Sequence, residues 1–167
     1  DTLEIYPNLG SAAINFSLTP IIYKHPLSGP VDWIKAEDRD GDAKPEISVS
    51  TGGGFCIIKN NGAFNFNNLY INTSAYGKFF EIKDINSDGL KDLILASYSG
   101  DYSVFKGTTV TGSSFNFTYT YFQVPDAYRF LLDDFDGNAI PDFVFVGGGD
   151  NPYITNFRNF SYLLSIN

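Results

Sequence analysis

The sequence predicts an all-β fold, an open, β-propeller-like array of about three and a half four-stranded antiparallel units. Three observations carry this expectation. The chain holds 16 Phe and 11 Tyr but no Met, and aromatic and β-branched residues favour strands. Three segments, residues 33–50, 79–96 and 129–146, align without gaps. In each, apolar residues alternate with mostly polar ones on both sides of an acidic loop, which puts one apolar face on each flanking strand.

The first aligned acids, Asp38, Asp84 and Asp134, lie 46 and 50 residues apart. That period suits one blade of a propeller or one unit of a β-array. Before the loops the apolar sets are Ile34 and Ala36, Phe80 and Ile82, and Phe130 and Leu132. After them come Ile47 and Val49, Leu93 and Leu95, and Phe143 and Phe145. A Gly- or Ser-Gly-containing turn follows, then a third strand at 55–58, 102–105 and 153–155. An aromatic outer strand ends each unit, at 64–71, 115–124 and 160–166. Residues 3–6 and 16–23 match a third and an outer strand, so 1–30 reads as half a unit. Whole units then span 31–76, 77–126 and 127–167, within a single domain. The leading half-unit lacks its first two strands, which is why the array is expected to be open.

At 167 residues the chain is long enough to bury a sizeable core. Its formal net charge of −8 argues against nucleic acid or an anionic membrane surface as a partner. No apolar run approaches the roughly 18 residues of a membrane-spanning helix. The single Cys leaves no internal disulfide, which does not exclude secretion. An extracellular or cell-surface location is expected, for a mature form whose leader has been removed.

The acids are concentrated in the loops, which hold 10 of the 19 in the chain. Read as nine-residue windows, the loops place oxygen donors at positions 1, 3, 5 and 9. These are Asp38, Asp40, Asp42 and Glu46; then Asp84, Asn86, Asp88 and Asp92; then Asp134, Asp136, Asn138 and Asp142. Ca²⁺ is a hard cation that takes roughly 6–8 oxygens at about 2.3–2.6 Å, and acids at alternate positions of a tight loop curl around one point. The carbonyl at position 7 (Lys44, Leu90, Ile140) is a further candidate ligand. Mg²⁺ keeps its waters and fits less well, and zinc would want His and Cys. An EF-hand needs a Glu at position 12 between helices, whereas these loops close at position 9 between strands. About three Ca²⁺ are expected, which would bring the formal charge to about −2. The competing reading is an Asx-type turn whose side chains bond only their own backbone. A left-handed backbone at position 6 suits Gly, and only the second loop has one there, Gly89, against Ala43 and Ala139. The second site is therefore expected to have the best backbone geometry, and the first the most charge.

The pattern D-x-D/N-x-D/N-x-x-x-D/E between two apolar strands resembles the FG-GAP/VCBS repeat. Residues 57–66, IIKNNGAFNF, resemble that family's third-strand, turn and outer-strand segment. The resemblance implies Ca²⁺ held in β-hairpin loops and extracellular work in adhesion or ligand binding. The family's closed propellers have more units than this chain supplies. The chain is therefore expected to be a fragment of a longer propeller or, as the alternative, a structural subunit that self-assembles head to tail, through its N-terminal strands, into a filament or sheath. The expected partner is itself, or an extracellular protein or glycan.

Other features carry less. Asn15, Asn72, Asn116 and Asn159 begin N-x-S/T sequons and are candidate glycosylation sites. Trp33 is a candidate stacking platform or a partly buried edge residue. His25 reads as a loop histidine and Cys56 as an inert buried thiol. No phosphate loop, nucleophile elbow or zinc motif is present, so no catalytic residue is assigned and a non-catalytic role is expected.

Overall fold

The computed structural model describes residues 2–10, 15–72, 77–97, 99–111, 114–124, 127–147 and 154–159. Side-chain surroundings are described for these except 108–111, 114–119, 121, 128, 146, 147 and 154–159. Among the described residues every regular element is a strand. β1 (Thr2–Ile5) and β2 (Ile21–Lys24) form a two-stranded sheet. β3 (Val31–Glu37), β4 (Glu46–Thr51), β5 (Gly54–Asn60) and β6 (Phe66–Asn72) form a four-stranded sheet in chain order. β7 (Phe79–Lys83), β8 (Asp92–Ala96), β9 (Asp101–Thr111) and β10 (Ser114–Gln123) form another. β11 (Ala127–Asp133), β12 (Asp142–Gly147) and β13 (Ile154–Asn159) form a three-stranded sheet. All pairings are antiparallel and no sheet closes on itself.

Several strand boundaries differ from expectation, most of them by one to a few residues. In the half-unit the outer strand begins at Ile21, and Phe16 makes an isolated bridge to Asn8 instead. The expected outer strand at 160–166 lies outside the described residues.

The sheets pack against one another in chain order through three apolar layers. Leu3 and Leu27 pack with Val49, Cys56 and Ile58. Phe55 and Ile57 pack with Phe80, Ile82, Leu93, Leu95 and Phe105. Ile94, Ala96, Tyr102 and Val104 pack with Phe130, Phe143 and Phe145. Ring contacts knit these layers: Phe55 meets Phe80 edge-on at 5.1 Å, and Tyr102 meets Phe145 at 5.1 Å.

The layers correct the one-face pattern read from the sequence. The middle strands of the two four-stranded sheets are buried on both sides, because each of these sheets lies between two neighbours. Along β8, Leu93 and Leu95 face the preceding sheet while Ile94 and Ala96 face the following one. The first strand of the first full unit departs the other way. Ile34 is 51% exposed and Ala36 is exposed, whereas the equivalent Phe80 and Phe130 are buried. The physical reason is the two-stranded leading sheet, whose described strands pack on β4 and β5 and leave β3 uncovered.

Equivalent positions in successive units also pair with each other. Asp32 bonds Lys78 at 2.6 Å, Lys35 bonds Glu81 at 2.5 Å, and Lys83 bonds Asp133 at 2.9 Å. At the position between the first two, Trp33 packs edge-on against Phe79 at 5.4 Å, and the Arg129 guanidinium lies 4.6 Å from the centre of the Phe79 ring. The ion pairs are partly solvated, so each contributes at most about 1 kcal/mol. Their effect is to fix the register of one sheet on the next.

His25 lies between β2 and β3 and is buried, with neither ring nitrogen hydrogen-bonded. Burial holds its pKa below the ordinary value. The unfolded chain therefore takes up a proton first as pH falls, and stability is lost as pH drops below about 6.5, at up to about 1.4 kcal/mol per pH unit. Urea unfolding between pH 7.5 and 5 should show this loss, and His25→Gln should flatten the profile relative to wild type over that window.

Candidate metal loops

Each acidic loop closes a hairpin, between β3 and β4, β7 and β8, and β11 and β12. The strand ladders end at Glu37 opposite Glu46, Lys83 opposite Asp92, and Asp133 opposite Asp142. The acid at position 9 is thus the first residue of a buried middle strand, and Glu46, Asp92 and Asp142 are all buried. A buried carboxylate needs partners. Each accepts the N–H of position 2 at 3.0 Å, from Arg39, Ile85 and Phe135. Asp92 also accepts the Gly107 N–H at 2.7 Å.

The remaining donors repeat the same geometry three times. The carboxylate at position 1 accepts the N–H of position 6: Ala43 to Asp38 at 2.9 Å, Gly89 to Asp84 at 2.8 Å, Ala139 to Asp134 at 2.8 Å. The side-chain oxygen at position 5 accepts the N–H of position 7, from Lys44, Leu90 and Ile140, at 2.8–2.9 Å. In the first loop, carboxylate oxygens of Asp38, Asp40 and Asp42 lie within 4.8 Å of one another, and in the third loop those of Asp134, Asp136 and Asp142 do the same. In the second loop Asn86 stands at position 3 and donates its amide to Asp88 at 2.9 Å. These all-oxygen sets fit a hard divalent cation. The bonds to the loop's own N–H groups are those of Asx turns, and each carboxylate keeps lone pairs beyond them.

Position 6 is left-handed in all three loops, with φ of 63° at Ala43, 83° at Gly89 and 66° at Ala139. Position 4, which sequence reasoning overlooked, is left-handed too, at Gly41, Ser87 and Gly137. Each loop therefore carries one non-glycine residue in this region. The backbone advantage expected of the second loop at Gly89 is offset by Ser87.

In the first loop an ammonium bonds three of the acids. Lys59, on β5, bonds Asp40 at 2.5 Å, Asp42 at 2.8 Å and Glu46 at 3.0 Å. The Lys59 ammonium is the main reason that the Asp42 carboxyl is held down to about 2. Nothing in the spacing of the acidic windows revealed this lysine. The strand register could have, since a tight turn after β4 carries residue 59 back beside Glu46.

The other singled-out residues fall into place unevenly. Cys56 is buried on β5, and burial pushes its thiol up to about 12, which makes it unreactive. Trp33 is partly exposed beside a cleft of about 240 Å³ lined also by Phe79, Phe80, Glu81, Arg129, Phe130 and Leu131. Asn15 is exposed, while Asn72 is half-buried and donates to the Tyr70 hydroxyl at 3.2 Å. The side chains of Asn116 and Asn159 lie outside the described ones. No family model, curated protein or solved structure matches the chain.

A left-handed alanine costs about 1 kcal/mol relative to glycine. Ala43→Gly and Ala139→Gly should each raise unfolding free energy by about that much in chemical denaturation. A loss of stability at either position would mean that the loop backbone is not left-handed there.

Proposed function

We propose that the chain is a non-catalytic, calcium-stiffened β-repeat module of an extracellular protein, working in adhesion or ligand binding. The observation that carries this reading is the threefold recurrence of one loop geometry, with oxygen donors in the same places each time. A lone Asp-rich turn needs no ion. The second and third loops, which gather acids against a buried position-9 carboxylate, carry a repulsion that a divalent cation would relieve. Asp84, Asn86, Asp88 and Asp92 would hold the ion in the second loop, and Asp134, Asp136, Asn138 and Asp142 in the third. The ion would supply cross-links between the two ends of each hairpin. The resemblance to the FG-GAP/VCBS repeat points the same way. The aromatic cleft beside Trp33 and Arg129 is the surface that we assign to ligand.

Calcium at millimolar concentration should raise the melting temperature relative to EDTA, because an ion bound only by the folded state stabilises it by mass action. Asp88→Ala should remove part of that calcium-dependent rise and lower the melting temperature in EDTA only by the smaller cost of the lost Leu90 N–H bond. Equal losses in both buffers would mean that the second loop is only a turn.

One observation favours a second reading, a subunit that assembles head to tail. The exposed apolar face of β3, with Ile34 and Val31, is where two further strands of the leading sheet would pack. Strands from another copy would cover it. Light scattering after size exclusion should then find large species in calcium that dissociate in EDTA, whereas a calcium-insensitive species near 18.5 kDa would exclude this assembly.

A further inference from the structure

The first loop differs from the other two in the cation that faces its acids. β4 and β5 pair with Ile47 opposite Ile58, which places Lys59 beside Glu46. From there the Lys59 ammonium bonds positions 3, 5 and 9 of the loop together, through Asp40, Asp42 and Glu46, at 2.5, 2.8 and 3.0 Å. The residue is 8% exposed. Burial alone pulls its pKa down, and the hydrogen bonds to the three carboxylates outweigh burial, so it ends above the ordinary lysine value. It is charged at any physiological pH.

The same strand position is filled differently in the other units. Leu93 pairs with Phe105, so Lys106 is the counterpart in the second. Its ammonium stands 3.5 Å from Asp88 on a side chain that is 45% exposed. In the third unit Asp142 pairs with Asn159, so the counterpart carries no charge.

The loop sequences vary in step with this. The first loop has Asp at both positions 3 and 5. The others have one Asn each, Asn86 and Asn138, which donates an amide N–H to the neighbouring acid at 2.9 and 3.0 Å. An asparagine amide can turn and offer its oxygen to an incoming ion. An ammonium has only donors, and must leave before an ion can enter. Leaving would strip a mostly buried charge of three carboxylate partners while repelling the incoming ion.

We propose that Lys59 is the resident cation of the first loop, and that this loop takes no calcium at concentrations that fill the second and third. This rests on the calcium reading above for those two loops. The first hairpin is then locked permanently by the chain itself, and the other two lock only when calcium is present.

The test is the number of calcium ions bound per full chain, by native mass spectrometry and titration calorimetry, in wild type and in Lys59→Asn, which copies the third unit. Two ions in wild type and three in the variant are expected. Three in wild type, or the same number in both proteins, overturns the proposal. No ion in wild type sinks the calcium reading of the second and third loops; the proposal for Lys59 then stands if the variant gains one and falls if it does not. If Lys59→Asn does not fold, Asp40→Asn and Asp136→Asn decide in its place. The first should leave calcium affinity within about twofold of wild type and the second should cost tenfold or more, or one ion. A comparable loss from Asp40→Asn overturns the proposal.

Discussion

β5 and β8 carry buried apolar side chains on both faces, so no sheet that contains them is stable alone in water. Burying a large apolar side chain contributes about 1.5–3 kcal/mol, and in these strands alternate side chains draw that gain from the preceding and the following sheet. Stability here is a property of neighbours, as in other repeat proteins. The exposed face of β3 is the same rule seen where it is not met: Ile34 has the sequence of a buried residue and the surroundings of a surface one.

The loops depend on that burial. Each position-9 acid is placed at the mouth of a buried strand by the strand pairing itself. Once there it must collect N–H donors, and it draws the position-2 amide across the hairpin. The side chain at position 2 is then directed at the neighbouring unit: Ile85 joins the layer between the last two sheets, and Arg39 donates to the Lys91 carbonyl at 3.3 Å. The core thus shapes the loop before any ion is considered, and an ion that binds a preformed loop gives up little ordering free energy.

The acidic loops and the strands beside them were legible because their signals are local. Donor spacing and period-2 alternation need only a few consecutive residues. What escaped notice depends on the neighbours that a strand acquires. The second buried face of β8 requires a following sheet, and the exposure of Ile34 and Ala36 requires the absence of a preceding strand. Lys59 stands 13 residues beyond Glu46 and joins the loop only through the β4–β5 register. The left-handed position 4 was open to notice, since Gly41 and Gly137 occupy it; Ser87 hid the pattern by breaking it.

The ion pairs between equivalent positions give the stack a word order. Asp32 meets Lys78, Lys35 meets Glu81, and Lys83 meets Asp133. A tandem copy of residues 31–76 would set Asp32 against its own duplicate and Lys35 against its own. A copy of 77–126 would do likewise with Lys78, Glu81 and Lys83. Simple duplication of a unit therefore sets like charges opposite one another, a modest repulsion that is removed as the copies diverge in charge. The three units are related in pattern, yet each has become fitted to one place in the row.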